Sequence, residues 1–524
     1  MKIILVTGRL AEEYVRKYAR GVVGVDVDVV VLNCPVAAFL NSETIITGLK
    51  SCNLAGVDMI LTPGLSRGDT KSISDVFNVP VFKGPRYAAD LPVVLEELGN
   101  VKLSTIVPAC DLLRDVLVER TLREIENAEQ NKEALLKCQG SMLIKNLAVG
   151  KEFPMRVMAE IVDAALMSEE DIQYLAKDFV AQGAHIIDVG MVAGKSDPEN
   201  VKRAVKAVKA AVDVPVSIDS LDVEEIRAAV SVGVDLILSL DAGNIDKLAE
   251  FAIDTPVVII PTDQKAGYFP KKACERVELI EELVIRAKNF GFKKVLADLI
   301  LEPTDVLESF IAFKDFSVKH PEVPLFVGVA NVTELFDADS IGINALLAKL
   351  SSEVDASIIL ATEKSVKAKG TVKEEAIAAK MMYLAKKRAS VPKDLGINLL
   401  ILKDKRSREE PYNAALEQKT NVTLAVDNEI EQLERDSVGM FKIAVDRKNK
   451  DIIAALYTDI QMNKPVHIIK GKTARAVYIK IIQLKLVTCL DHAAYLGIEL
   501  EKAENALKLD KEYIQETPLF KNTN

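Results

Sequence analysis

Between residues 150 and 390 the chain repeats one unit: a short apolar run, then an amphipathic stretch of helical period. The apolar runs fall at 157–162, 185–189, 215–218, 236–240, 256–260, 295–299, 324–329 and 356–360. Helical patterns follow, for example at 198–212, 223–231, 275–290, 338–350 and 373–387. A run that is apolar on both sides of the pleat is what a fully buried parallel strand requires. Parallel neighbours need a long crossover, which the helices supply. Eight such units in about 240 residues predict a (β/α)8 barrel, the TIM barrel. A count from sequence leaves seven or nine units open.

The flanks read differently. Apolar runs at 3–6, 27–32, 59–61 and 80–82, separated by helical stretches at 10–20 and 37–49, predict a small open α/β sheet. A polar helical stretch, 111–137, connects it to the barrel. After Pro392 and Gly396 comes a charged linker at 403–410. A hairpin (440–445 with 452–457), a third strand (467–469) and helices at 473–486 and 501–507 then form a second small α/β unit, with 520–524 as a frayed tail. The fold class is therefore α/β: a Rossmann-like N-terminal domain with its connecting helix (1–145), the barrel (146–395), and a C-terminal α+β domain of unknown role (396–524). Three domains suit 524 residues.

Composition narrows the partners. A net charge of -10 argues against nucleic acid or an anionic membrane. No run of 18 apolar residues spans a bilayer, and the opening Met1-Lys2-Ile3-Ile4-Leu5-Val6 reads as a strand rather than a secretory leader. Six scattered cysteines without a CxxC pair, and only four histidines, predict reduced thiols, a cytoplasmic location and no bound metal.

Barrel enzymes work at the C-terminal ends of their strands. Polar residues there are Asp188, Asp219, Ser239 with Asp241, Asp298 and Asn331. Burying an unpaired carboxylate is costly, so several at one mouth imply a ligand edge rich in N–H donors. Any one of them is as often a helix cap or a lysine partner. For Asp219, Asp298 and Asn331, which the fold puts on one rim, the ligand reading is the stronger.

These residues carry a resemblance. The run Val214-Pro215-Val216-Ser217-Ile218-Asp219-Ser220 resembles the strand-3 motif of the pterin-binding superfamily, which holds dihydropteroate synthases and corrinoid-dependent pterin methyltransferases. Ala297-Asp298-Leu299 with Pro303 resembles its strand-6 segment. The resemblance implies that Asp219 and Asp298 bind a reduced pterin, the latter gripping the amino-pyrimidine edge. A carboxylate can accept an N–H and an exocyclic amine there as a bidentate pair. Ala330-Asn331-Val332 is close to the methyltransferase form, which has Asn where synthases have Lys. The synthase's basic loops are replaced by Met191-Val192-Ala193-Gly194-Lys195-Ser196 and Thr362-Glu363-Lys364-Ser365, leaving Lys195 and Lys364 as possible anion-binding residues. At strand 4 the family's Asn falls on Leu238, so Ser239 and Asp241 stand in for it or the ligand differs.

The whole chain resembles an archaeal family named as dihydropteroate synthase-related. The resemblance implies a transferase that moves a methyl or one-carbon group from N5 of a tetrahydromethanopterin- or tetrahydrofolate-type pterin, with Asn331 and Asp298 as catalytic residues. The acceptor would be a corrinoid carried on a partner protein. The alternatives are a dihydropteroate synthase-like condensation and a non-catalytic pterin carrier or sensor. A homodimer is expected.

Three other features are weaker. The turn Leu61-Thr62-Pro63-Gly64-Leu65-Ser66-Arg67-Gly68-Asp69 is more often only a turn than an anion site. Lys470-Gly471-Lys472-Thr473 lacks the first glycine of a phosphate loop, since position 466 is Val466. Asp491-His492-Ala493-Ala494-Tyr495-Leu496-Gly497 has the wrong spacing for built-in cobalamin, and His492 is expected to pack or cap.

Overall fold

The computed structural model describes residues 1–403, 414–419, 421–425, 436–459 and 464–520. Most of the expected linker 403–410 and of the tail 520–524 lies outside them. The chain forms two compact units. The first holds Met1–Val332, Asn344–Ala361 and Val372–Leu399; the second holds Thr333–Ile343, Thr362–Thr371 and Leu400–Asn524.

The first unit opens with four parallel strands, β1 (Lys2–Gly8), β2 (Asp26–Leu32), β3 (Met59–Thr62) and β4 (Val81–Lys83), in the order β2-β1-β3-β4. Alternate side chains of β1 serve two cores. Ile3 and Leu5 pack with Val15, Val94 and Leu95, while Ile4 and Val6 pack with Ile45, Leu49 and Ile73. This period of two is why the sheet is covered by helices on both faces. The connecting helix Arg114–Gln130 ties this domain to the segment after the last barrel helix, Thr371–Lys387: Thr121 Oγ1 donates to the Leu395 carbonyl at 2.7 Å, and Arg388 Nε to Glu124 Oε2 at 3.0 Å.

A two-stranded hairpin follows, β5 (Met142–Ile144) and β6 (Leu147–Val149). The sequence reading had no strands here. The hairpin plugs the end of the barrel at which the strands begin. Ile144 and Val149 are buried with Met158, Ile186, Leu236, Leu296 and Phe326. Lys294, just ahead of a barrel strand, donates to the Leu143 carbonyl, and Lys145 pairs with Asp213, just ahead of another.

The barrel strands are β7 (Arg156–Ile161), β8 (Ile186–Gly190), β9 (Val216–Asp219), β10 (Leu236–Leu240), β11 (Val257–Ile259), β12 (Val295–Ala297), β13 (Leu325–Val327) and β14 (Ala356–Thr362). They close in the order β10-β11-β12-β13-β14-β7-β8-β9, so the predicted (β/α)8 barrel forms with eight strands. Local signals set the helices between them. Ser168 caps Glu169–Gln182 through the Asp171 N–H, and Gly183 ends it at φ +117, where a Cβ would also stand 2.7 Å from Ala376 Cβ. Asp197 caps Pro198–Ala211, with Pro198 at the first helical position.

The second unit contains an antiparallel sheet, β15 (Met440–Asp446), β16 (Asp451–Tyr457) and β17 (His467–Gly471), with helices Ala474–Gln483 and Leu490–Lys508. The last helix begins eleven residues before the expected 501. Leu496, Leu500 and Ala503 recur on one face and pack on Ile443, Ala454 and Leu456, which outweighs the low helix propensity of Gly497. His492 hydrogen-bonds Asp436 Oδ2 at 3.0 Å beside Phe441, a packed histidine. Among the described residues no helix is long and apolar enough to cross a membrane.

Candidate functional site

Strand register assembles the first part of the site. Glu160 of β7 lies opposite Asp188 of β8, and Gly190 of β8 opposite Asp219 of β9. One oxygen from each of Glu160, Asp188 and Asp219 lies within 4.8 Å of the other two. Asp188 is fully buried. Its Oδ1 accepts from Ser217 Oγ at 2.5 Å, and its Oδ2 has no hydrogen-bond partner among the described residues. Gly190 leaves the space that Glu160 uses: a Cβ there would stand 2.2 Å from Glu160 Oε1. Burial, then the charges of Asp219 and Glu160, push Asp188 well above the carboxylate range. Burial raises Asp219 to about 6. Three hard oxygen donors suit either a divalent cation or the N–H groups of a ligand. No metal was expected from the sequence, and Glu160 is the residue that expectation lacked.

Asp298 follows β12 and is buried. Its Oδ1 accepts from the Ile300 N–H at 2.8 Å. Burial raises it to about 7, against the pull of that N–H and of Arg276, with the charge of Asp219 adding to the rise. The turn that follows is held from behind. Arg276, on the helix Ala273–Phe290, is almost wholly buried and donates to the carbonyls of Pro270 at 3.1 Å and Ile300 at 2.9 Å and to Ser309 Oγ at 3.1 Å. Ile300 sits at φ +64, a region a β-branched residue rarely adopts. Such strain persists only where the surroundings impose it, and the Arg276 clamp does so here.

Asn331 lies in the short helix Ala330–Thr333, exposed, and its amide donates to the Leu301 carbonyl at 3.2 Å. It is therefore joined to the same segment that carries Asp298. Ser239 is half-buried and held through its backbone, with its N–H on the Ser220 carbonyl and its own carbonyl on Asn244 Nδ2. Asp241 requires a correction. Its Oδ1 accepts from the N–H groups of Gly243 and Asn244, and its Oδ2 from Thr262 Oγ1 and the Gln264 N–H. Four bonds fill a carboxylate's capacity, so Asp241 braces two loops and is not free to grip a pterin.

Beside the carboxylates opens a cavity of about 800 Å³, lined among others by Asp219, Asp241, Asn244 and three lysines, Lys195, Lys247 and Lys265. That volume is in the range of ligand sites. Lys364 belongs to the second unit, where its N–H donates to Glu334 Oε1 at 2.9 Å. The turn at 61–69 is held by its neighbours: buried Lys83 of β4 donates to the Ser66 carbonyl, and the Gly64 and Arg67 N–H groups donate to the carbonyls of Pro85 and Leu40.

Sequence reasoning missed Glu160, Arg276, Lys247 and Lys265. Glu160 was findable, being the one charged residue in the run 157–162. The lysines were not, because only the loops' folding brings them to one cavity.

A family model described as pterin binding enzyme matches residues 161–349. An uncharacterized protein of Methanocaldococcus jannaschii is 40% identical over 536 residues, covering 99% of both chains. The chain belongs to the pterin-binding barrel superfamily, in one family with that protein. Within this superfamily, the dihydropteroate synthase of Streptococcus pyogenes is 33% identical over 103 residues, 17% of this chain and 38% of that protein. The solved dihydropteroate synthase of Yersinia pestis with a pterine-sulfa conjugate covers 47% of this chain and 99% of its own, at 17% identity and a TM-score of 0.38. Outside the pterin-binding barrel, a family of unknown function matches 1–86 and a model described as PterinBD-DUF4346 matches 435–516.

Proposed function

We propose that the chain is a pterin-dependent transferase that moves a methyl or one-carbon group from N5 of a reduced pterin of the tetrahydromethanopterin or tetrahydrofolate class to an acceptor such as a corrinoid carried by a partner protein. The observation that carries this reading is the set of carboxylates at the C-terminal strand ends: Asp219, which lines the cavity and has an oxygen within 4.8 Å of Glu160 and Asp188, and buried Asp298 after β12. When ionised, each accepts N–H donors from the heterocycle, and Asp298 keeps oxygen capacity beyond its bond to Ile300. Orientation of the ring is the first catalytic contribution.

The chemistry then needs a proton at N5. The N5–methyl bond breaks with its electron pair left on nitrogen, while the carbon bonds to the nucleophilic acceptor. An anionic nitrogen leaves poorly, so a proton or strong hydrogen bond at N5 lowers the barrier. Asn331, joined to the Asp298 segment through Leu301, is our candidate for that contact. Asp298, accepting N–H donors at the far edge of the ring, holds N5 toward that contact.

A synthase-like condensation remains as a second reading, favoured by one observation: the three lysines at the cavity, which suit a diphosphate. Calorimetric titration with tetrahydromethanopterin, its N5-methyl form and a dihydropterin diphosphate separates the two. Methyl transfer predicts binding of the first two, and a methyl-transfer rate that drops on Asn331→Ala with little change in pterin affinity. Preference for the diphosphate reverses the order, and failure to bind any of the three overturns both.

A further inference from the structure

The C-terminal sheet carries two helices, Ala474–Gln483 and Leu490–Lys508, whose inner faces pack on it. Their outer faces leave an apolar slot of about 210 Å³ between them. Ile481 and Leu496 are buried in its floor, and Tyr478, Ile482, Val487, Ala493 and Gly497 complete its lining. No charged residue lines it. Ile482 is 56% exposed, and Ile479, Leu490 and Ile498 of the same two helices are exposed as well. Apolar side chains that gather at a slot, rather than scatter singly, mark an interaction surface.

Gly497 deepens the slot. It stands inside a helix of 19 residues, where only proline is a poorer helix former. No neighbouring element requires it, because a Cβ there would meet nothing within 4 Å. The chain accepts a helix-weakening residue at a place that its own packing leaves open.

Charge indicates what the slot takes. Residues 460–490, which hold the first helix and the turn after it, contain six Lys or Arg and no Asp or Glu, in a chain of net charge -10. Arg475 precedes Tyr478 by three residues and shares its helix face. Lys485 lies in the turn between Ile482 and Val487. Both are exposed, and among the described residues neither has a carboxylate within ion-pairing distance. The acids of the second helix are engaged: Glu499 with Lys502 and Tyr513, Glu504 with Lys508 and the Ala474 N–H, and Glu501 with Asn505. Asp491 is engaged as well.

We infer that this slot is a docking site for an amphipathic helix with acidic flanks, carried by a partner protein. Apolar side chains spaced by one helical turn enter between Tyr478, Ile482 and Gly497, and the acids beside them meet Arg475 and Lys485. A second copy laid on the slot about a two-fold axis would bring the same unpaired cations from both sides. A lipid surface takes protruding apolar groups and does not fill a slot. The inference is independent of the pterin reading.

The test uses the full chain and two fluorescent helical peptides of about 20 residues, long enough to hold a helix. Both carry the same leucine stripe, one with Glu and the other with Lys at the flanking positions, and binding is read by fluorescence anisotropy. The Glu peptide is expected to bind at least about tenfold tighter than the Lys peptide, by a margin that shrinks at high salt. Gly497→Leu occupies the slot while improving helix propensity, so it is expected to weaken the Glu peptide about tenfold or more without lowering the urea midpoint. The exposed pair R475E/K485E is expected to turn the preference toward the Lys peptide. Binding of neither peptide, equal binding of both, or binding that Gly497→Leu leaves unchanged overturns the inference. So does a preference for phosphatidylglycerol vesicles or duplex DNA over the Glu peptide. A doubled mass in light scattering that Gly497→Leu abolishes, with no peptide bound, assigns the slot to a second copy and overturns it too.

Discussion

Asp298 shows how the surroundings of one side chain are fixed by residues distant in sequence. Arg276 ties the Ile300 carbonyl of the following turn to the Pro270 carbonyl and Ser309 Oγ, and the turn returns the Ile300 N–H to Asp298. Replacing Arg276 with Met keeps the apolar stem and strands buried carbonyls. Each costs about 1–3 kcal/mol when left unpaired. We expect Arg276→Met to lower stability by about 2–4 kcal/mol in urea unfolding and to weaken pterin binding beyond what a stability loss explains. A pH dependence belongs to this scale too. Asp219 and Asp298 accept a side-by-side pair of N–H donors only when ionised, since protonation turns one oxygen into a donor, and their values lie at about 6 and about 7. Affinity for the neutral pterin head should therefore rise between pH 5 and pH 8, and calorimetry at constant ionic strength reads it. Affinity that is flat or falls over that range would remove these carboxylates from the ligand's edge.

At the scale of elements, the hairpin β5–β6 is the piece that alternation and propensity do not announce. Its strands are three residues each, and Lys145 turns between them at φ +52. Isolated two-stranded hairpins are marginal in water. This one exists because Ile144 and Val149 find the barrel floor. Ile144→Ala should cost about 2–5 kcal/mol, read as a lower urea midpoint, with the C-terminal sheet unaffected because it has its own core. A loss below about 0.5 kcal/mol would mean the hairpin does not close the floor. The barrel helices were the opposite case. Residues 223–231 form a helix over the predicted span, since a capping Asp222, an apolar stripe and the next strand all agree.

At the scale of the whole molecule, buried acids set the response to pH. Asp188, Asp298 and Glu375 are raised mainly by burial, and among the described residues Glu375 has no hydrogen-bond partner on either oxygen. Asp90, among Arg388, Arg120 and Arg86, is raised to about 6 for the same reason. A carboxyl raised in the fold contributes stability that is fully present below its unfolded value and is lost as pH rises through its folded value. Each group protonated in the fold but ionised when unfolded removes about 1.4 kcal/mol per pH unit. Asp436 works the other way: its hydrogen bonds to Thr488 and His492 outweigh burial and lower it, so its contribution is lost in acid. The urea midpoint should therefore be higher near pH 5 than at pH 8, followed by far-UV circular dichroism because the chain has no Trp. Glu375→Leu should raise the pH 8 midpoint and flatten the decline. A midpoint that climbs steadily to pH 8 would contradict the set.

Local pattern by itself determined the barrel, the order of its strands and the names of Asp219 and Asp298. Burial periodicity and strand-end position are written in neighbouring residues and need no knowledge of distant ones. Which groups meet was decided by closure. Strand register alone brings Glu160 to Asp188 and Asp219. The paths of three separate loops set Lys195, Lys247 and Lys265 around one cavity. Asp241 looked like a ligand contact in the sequence, and became a loop brace once folding delivered four donors to it. The physical reason is the same in each case: a side chain's type is local, but its partners are set by long-range packing, and the partners decide whether a charge is spent or free.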